Sequence, residues 1–139
     1  MISTKQREIV EKYIEAFNAY DVEAMLQFVH PDVVYKNVVG EDTNAIITGI
    51  DEFRIVSERV KSYYSARREQ ITGLESVGDI TTVDIAFEAV LAVDSPNGRK
   101  AGDIDKGTGR SVYEFLDGKI YRMTDYIHDI VHKPEGSLM

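Results

Sequence analysis

The stretch RSVYEFLDGKIYRMTDYI, residues 110–127, decides the fold that we predict for this chain. Within it, Asp117-Gly118 separates two runs rich in β-branched and aromatic residues. This dipeptide is typical of a type I′ turn, because both of its positions need positive φ. We therefore predict a hairpin of two antiparallel strands, residues 110–116 and 119–127. Period-two runs at residues 68–76 and 80–93 predict two more strands of the same sheet.

The N-terminal half of the chain has helical periodicity instead. Asp21 and Asp51 are placed to cap a second and a third helix, because a short side-chain oxygen can accept from a free N–H of the first turn. The remaining predicted segments are helices over residues 4–19 and 22–29, a third helix after Asp51 with an apolar side from Phe53 to Tyr64, a strand over 33–39, a turn at 40–44 and a loop at 94–109. Three N-terminal helices that cover one face of a curved antiparallel sheet give an α+β cone with a pocket inside.

Composition excludes several classes of function. The chain has 139 residues, which suits one domain, and 24 acidic against 16 basic residues give a net charge of −8. Such a chain repels phosphate backbones, so nucleic acid is not an expected partner. It has no cysteine, which excludes disulfides and thiolate chemistry. No apolar run approaches ~20 residues, so we expect no membrane span and a cytoplasmic protein.

Four motifs occur in a fixed order along the chain: YIEAFNAYD at residues 13–21, FVHPD at 28–32, GIDEF at 49–53, and DGKI followed by DY at 117–126. Together they resemble the nuclear transport factor 2-like superfamily, whose opening motif reads YxxAxNxGD, over residues 6–130. The resemblance implies a cystatin-like α+β roll, with one SnoaL-like domain over residues 1–132 and a flexible tail over 133–139. It also implies a homodimer that pairs through the outer face of the sheet.

The superfamily includes ketosteroid isomerases, and this resemblance implies a role for Tyr13. Tyr13 falls on the tyrosine that donates to the oxyanion in those enzymes. Their base aspartate falls on Asn37 here, and their protonated acid falls near Ser111. An amide cannot abstract a proton, so steroid isomerisation by that mechanism is not expected.

The superfamily also includes limonene-epoxide-hydrolase-like enzymes, in which three polar groups hold a water. Tyr35, Asn37 and Asp125 match those groups. The Arg-x-Asp pair of a middle strand is absent from the corresponding residues 84–88, where only Glu88 could replace the acid. An epoxide hydrolase would need another basic group, such as Arg110, between Asp125 and a second acid.

The SnoaL-like polyketide cyclases need less, since the resemblance implies one inward aspartate on the last strand, here Asp125. Strand alternation places this residue on one face with Tyr121, Met123 and Ile127. A carboxyl among apolar neighbours has a raised pKa and can act as an acid or base near neutral pH. The alternative is an Asp125 without a catalytic role, which is exposed to solvent at a strand end and paired with Arg122 or Lys36.

We therefore predict a pocket protein for a small apolar, polyketide-, terpenoid- or steroid-like molecule, with an isomerase, cyclase or hydratase activity that needs no cofactor. The alternatives are a non-catalytic binding module and an epoxide hydrolase. The predicted catalytic residues are Asp125, Tyr13 and Asn37, and the predicted ligand-binding residues are Tyr35, Phe17, Ser111, Tyr113, Tyr121 and Met123. We expect no metal. His128 and His132 could bind a metal together only if they lay on one face of a helix, and no third ligand is evident.

Overall fold

A computed structural model describes residues 2–96 and 98–133. Its three helices are α1 (Ile2–Asn18), α2 (Val22–Leu26) and α3 (Ile50–Lys61). Its six strands are β1 (Val29–Val39), β2 (Asp42–Thr48), β3 (Tyr64–Val77), β4 (Ile80–Leu91), β5 (Ile104–Leu116) and β6 (Lys119–Lys133). Lys133 of the predicted tail ends β6, and residues 134–139 lie outside the described residues.

The six strands form one curved, unclosed sheet in the order β2-β1-β6-β5-β4-β3. Neighbouring strands are antiparallel except β1 and β6, which are parallel. The predicted α+β cone is therefore confirmed, although its sheet is not wholly antiparallel. This parallel pairing sets Asn37 of β1 directly beside Asp125 of β6.

The core lies between the concave face of the sheet and the helices. Its fully enclosed members include Val10 of α1, Val33 of β1 and Val83 of β4, each 0% exposed. These residues come from both the helical and the strand periodicity that the sequence displays. Burial of such side chains is the main stabilising contribution to the fold, at about 1.5–3 kcal/mol for each.

The hairpin and one helix cap follow the sequence prediction closely. Asp117 and Gly118 have φ of 54° and 76°, as a type I′ turn requires. Asp21 caps α2 by accepting from the backbone N–H of Ala24 at 3.0 Å. Helix α3 differs, because Gly49 is its N-cap and Asp51 lies in the first turn.

Several boundaries differ from the prediction, and three of the differences have a clear physical reason. Strand β2 replaces part of the predicted turn; it is an edge strand in which only Ile47 is buried, so it lacks a clear period-two pattern. Helix α2 ends at Leu26, since β1 already begins at Val29. Strand β5 begins at Ile104, inside the predicted loop, where glycines conceal the strand pattern.

Candidate functional site

The concave side of the sheet and the helices enclose two adjoining cavities. The outer chamber has a volume of about 680 Å³. The inner chamber, of about 110 Å³, lies against helices α1, α2 and α3. Both are lined by Phe17, Tyr35, Val60, Arg67 and Asp125, which therefore mark their junction. The outer volume suits a small organic molecule, because ligand pockets typically measure roughly 300–1,000 Å³.

Asp125 is half-buried at this junction, and its hydrogen-bond partners are neutral. Ser111 Oγ donates to Oδ1 at 2.6 Å, and the Tyr35 hydroxyl donates to Oδ2 at 2.7 Å. No ion pair within 4.0 Å involves Asp125 in the described part of the chain. The alternative of an exposed Asp125 paired with Arg122 is thus not observed, since Arg122 pairs with Glu114 at 3.4 Å.

The environment of Asp125 makes its carboxylate a usable proton acceptor. Burial raises the pKa of Asp125, and the hydrogen bonds from Ser111 and Tyr35 offset part of that rise. The first effect destabilises the charged form, and the second stabilises it. The result is a poorly solvated carboxylate that is held in a fixed position.

Tyr35 links Asp125 to Asn37. The amide Nδ2 of Asn37 donates to the Tyr35 hydroxyl at 3.3 Å, and the Tyr35 ring packs edge-on against Phe53 at a centroid distance of 6.1 Å. Burial, then the negative charge of Asp125, raises the pKa of Tyr35 well above its usual value. Tyr35 therefore keeps its proton and remains a hydrogen-bond donor.

Glu69 of β3 is a second acid that the sequence reading missed. It is half-buried and lines the outer chamber with Asp125. Burial, then the negative charge of Asp125, raises the pKa of Glu69 to about 8, while Arg67 opposes the shift. Glu69 is thus mostly protonated at pH 7, whereas Asp125 has two hydroxyl donors that favour its ionised form.

The backbone of β3 at Glu69 is fixed by α1. The Asn18 side chain accepts from Glu69 N at 2.8 Å and donates to Glu69 O at 2.9 Å. Asn18 belongs to the motif at residues 13–21, so this motif sets the register between helix and sheet. Alternation along β3 could have indicated Arg67 and Glu69 as a pair on one face, but the predicted strand began only at residue 68.

Tyr13 and Phe17 of α1 reach the cavities as the prediction requires. Tyr13 is 6% exposed and lines the inner chamber, and Phe17 lines both chambers. Burial, then the charge of Asp125, raises the pKa of Tyr13 well above its usual value. No hydrogen bond joins the Tyr13 hydroxyl to another of the described residues, so this donor faces the inner chamber unpaired.

Four predicted ligand-binding residues line neither cavity, and one of them, Ser111, reaches the site only through its hydrogen bond to Asp125. Tyr113 and Met123 are each 2% exposed and pack in the core, with the Tyr113 ring 6.1 Å from Tyr13. Tyr121 packs against His30 at 5.2 Å instead. The reason is a bulge: pairing jumps from Glu114↔Arg122 to Phe115↔Ile120, so Tyr121 is the extra residue and the simple alternation fails.

The candidates for a charge relay also lie elsewhere. Arg110 pairs with Asp84 at 2.8 Å, away from both cavities, and Glu88 is exposed at the rim of the outer chamber. His128 and His132 lie on strand β6, not on a helix. In the described part of the chain, no group of three histidine or acidic side chains could hold a metal ion.

A different polar cluster contributes to the wall of the outer chamber. Asp105 is buried, and its Oδ1 accepts from Arg99 Nη1 at 2.5 Å and contacts His132 Nδ1 at 2.6 Å. Asp105 and His132 both line the chamber. The cluster joins the loop before β5 to the end of β6, which points to a structural role.

Within residues 2–96 and 98–133, no helix is long and apolar enough to cross a membrane.

The site is an apolar cavity with a hydrogen-bonded carboxylate, a second, protonated carboxyl and several hydroxyl donors. Such a set can move protons without help from a metal, because one carboxyl accepts while the other donates.

This fold and site define a cone-shaped α+β protein of the nuclear transport factor 2-like superfamily. The family model described as the SnoaL-like domain matches residues 10–123, and the chain belongs to that family. No curated protein matches the chain at a significant level.

Solved structures with the same fold have low sequence identity. A candidate polyketide cyclase of Xanthomonas campestris pv. campestris is 22% identical, with a TM-score of 0.75, and the match covers 92% of this chain and 93% of that one. An LEH-like epoxide hydrolase of M. tuberculosis is 18% identical, with a TM-score of 0.75 and coverage of 91% and 84%. An NTF2-like protein of unknown function from Burkholderia pseudomallei is 19% identical, with a TM-score of 0.68 and coverage of 89% and 91%.

Proposed function

We propose that this protein is a cofactor-independent acid–base enzyme that acts on a small, largely apolar molecule of the polyketide, terpenoid or steroid kind. The observation that carries the proposal is the carboxylate of Asp125, held at the chamber junction by two neutral hydroxyls. Family membership and the candidate polyketide cyclase among its structural neighbours support the same class of reaction.

Asp125 is the proposed base. Its carboxylate takes a proton from a carbon next to a carbonyl group, and the electrons of that C–H bond move to the carbonyl oxygen to give an enolate. In an isomerisation the proton returns to another carbon. In a cyclisation the enolate carbon attacks a second carbonyl, and the new alkoxide takes up the proton. Positioned acid–base groups of this kind contribute typically about 10²–10⁴-fold to a rate.

Glu69 and Tyr13 are the proposed donors to the developing oxyanion. Glu69 is protonated at neutral pH because its pKa is about 8, and Tyr13 has an unpaired hydroxyl at the inner chamber. A neutral carboxylic acid in an apolar site can donate a hydrogen bond to an enolate oxygen. Asn37 acts through Tyr35, which it orients by its hydrogen bond.

Hydrogen exchange of an apolar ketone tests this proposal. 2-Tetralone has acidic C–H groups next to its carbonyl, and in D₂O their exchange is followed by proton NMR. We expect the wild type to accelerate exchange above buffer and Asp125→Asn to lose about 10²–10⁴-fold of that acceleration. Asp84→Asn is the matched control, because Asp84 is an aspartate that pairs with Arg110 away from the cavities.

The outcomes separate an enzyme from a binding module. Exchange no faster than in buffer, or equal exchange by wild type and Asp125→Asn, contradicts the proposed role of Asp125. If 2-tetralone still binds by calorimetry in that case, the protein is a non-catalytic binding module.

Epoxide hydrolysis is a second candidate, favoured by the chain of hydrogen bonds from Asn37 through Tyr35 to Asp125. β3 contributes the Arg-x-acid pair, Arg67 and Glu69, that residues 84–88 lack. However, no basic group of the described residues lies within 4.0 Å of Asp125. The arginine therefore has no direct contact with Asp125 through which a proton relay between the two acids could run. Hydrolysis of styrene oxide with ¹⁸O uptake from labelled water supports this candidate; its absence excludes it for that probe.

A further inference from the structure

Arg67 occupies the junction of the two chambers without an acidic partner. It lines both cavities, yet no carboxylate in the described chain lies within 4.0 Å of its guanidinium. Glu69 is two residues away on the same face of β3, but at neutral pH it is mostly protonated. A half-buried cation without a counter-charge is uncommon, since buried charges are normally paired.

The donors of Arg67 are only partly used. Nη2 donates to the backbone oxygen of Phe17 at 3.3 Å. Nε is buried and has no hydrogen-bond partner among the described residues. Burial lowers the pKa of Arg67 from its usual value, which reports the same lack of compensation. A guanidinium has five N–H donors; with Nε buried and one Nη2 hydrogen bonded to Phe17, the Nη1 group and the second Nη2 hydrogen remain for a ligand.

Two aromatic rings hold the guanidinium in place. Its central carbon lies 3.8 Å from the ring centroid of Phe17 and 4.6 Å from that of Tyr20. Rings that contact the faces of a guanidinium do not compete for the N–H groups at its edge, which are the groups that bind a planar acceptor. Aromatic stacking also reduces the entropy that Arg67 would lose on binding.

Tyr20 supplies one of these rings from a strained backbone conformation, and its hydroxyl donates to the backbone oxygen of Tyr64 at 3.0 Å. Tyr20 has φ of 61°, which is unfavourable for a bulky residue. It closes α1 in a Schellman arrangement, with Asp21 N bonded to Ala16 O at 3.0 Å and Tyr20 N to Phe17 O at 3.1 Å. Glycine is the usual residue at this position. Strain of this kind persists at functional sites.

We infer that Arg67 is the anchor for a carboxylate on the ligand, so that the protein takes an apolar carboxylic acid. The inference deepens the proposed function by naming a substrate class for the same site. A carboxylate matches the planar fork of a guanidinium with two parallel hydrogen bonds. Apolar residues of the outer chamber, among them Val60, Ile85 and Phe87, would accept the body of the ligand next to Asp125.

A matched pair of probes tests this inference by binding alone. 2-Naphthoate and 2-naphthamide have the same shape but differ in charge. By calorimetry we expect the wild type to bind the acid at least about ten-fold more tightly, and Arg67→Gln to lose that preference. Arg110→Gln is the control arginine, because its partner is Asp84 outside the cavities.

Two further variants keep Arg67. They show whether a change in binding reflects misfolding, and whether the preference for the acid is independent of catalysis. Tyr20→Gly keeps Arg67, relieves the positive φ and removes one stacked ring, so we expect a several-fold smaller preference for the acid. Asp125→Asn removes a negative charge that opposes an anionic ligand at the junction, so we expect the preference for the acid to be kept or increased, whether or not 2-tetralone exchange occurs. Equal affinity for the two probes, no binding of either, a preference that survives Arg67→Gln, or tighter binding of 2-naphthyl phosphate would overturn the inference.

Discussion

Asp125 and Asp105 lie on neighbouring strands and line the same chamber, but their partners differ in charge. Asp125 accepts from two neutral hydroxyls, those of Ser111 and Tyr35. Asp105 contacts the guanidinium of Arg99 at 2.5 Å and the imidazole of His132 at 2.6 Å. A cationic partner compensates a buried carboxylate fully, whereas hydroxyls hold it in place but leave it able to take a proton.

The comparison shows how one cavity can contain both a structural and a reactive carboxylate. Asp105 ties the segment before β5 to the end of β6, and its charge is needed to balance Arg99. Asp125 balances no cation in the described chain, so its charge contributes nothing to an ion pair and remains available for chemistry. Three predictions can break or sharpen this contrast.

The largest expected effect is on stability when Asp105 loses its charge. Asp105→Asn leaves Arg99 buried without a counter-charge, and breaking a buried ion pair costs about 3–5 kcal/mol. We expect a loss near the lower end of that range in urea unfolding at pH 8. Asp125→Asn should keep or increase the free energy of unfolding at that pH, because the carboxylate it removes is the poorly solvated one.

Asp84→Asn is the control for this pair, since Asp84 forms a half-exposed ion pair with Arg110. It should unfold close to the wild type. If Asp105→Asn behaves like Asp84→Asn, or if Asp125→Asn is the more destabilised variant, the distinction between the two carboxylates is wrong.

The second prediction concerns the pH dependence that Glu69 contributes. Its folded pKa of about 8 exceeds its ordinary value of 4.5, so the folded state binds more protons than the unfolded state between these pH values. The free energy of unfolding should therefore fall as pH rises from 4.5 to 8, by an amount on the order of 2–4 kcal/mol from this group. Glu69→Gln should remove this component.

Urea unfolding of wild type and variant at intervals from pH 5 to 9 measures the difference. Glu75→Gln is the matched control, because Glu75 is an exposed glutamate on the same strand. Parallel pH profiles for the wild type and Glu69→Gln would show that Glu69 titrates as it does in water.

The sequence predicted part of this site, including Asp125 and its neighbours, but not all of it. The Asp117-Gly118 turn and the alternation after it predicted β6, and with it Asp125 on an apolar face. The resemblance predicted Tyr13, Tyr35 and Asn37 near that residue. The bulge at Tyr121 was not predicted, because Tyr121, Met123 and Ile127 also fit an uninterrupted alternation of apolar residues.

The second acid and the arginine were missed for a different reason. Arg67 and Glu69 alternate with exposed residues, so their pattern resembles a solvated strand. Only the tertiary fold, in which Asn18 binds the backbone of Glu69, turns this face of β3 toward the cavity. Charged residues on a strand face carry no local signal of burial, whereas apolar ones do.

The smallest expected effect comes from Tyr35→Phe, which removes one of the two hydroxyl donors to Asp125. We expect the free energy of unfolding to fall by about 1 kcal/mol, as for the loss of a typical hydrogen bond. The pKa of Asp125 should rise further, because the lost donor favoured the ionised form. Carboxyl ¹³C NMR titration measures this shift, with Tyr63→Phe as a control at an exposed tyrosine. An unchanged Asp125 pKa would mean that Ser111 alone holds the carboxylate, and that Tyr35 serves only to shape the cavity.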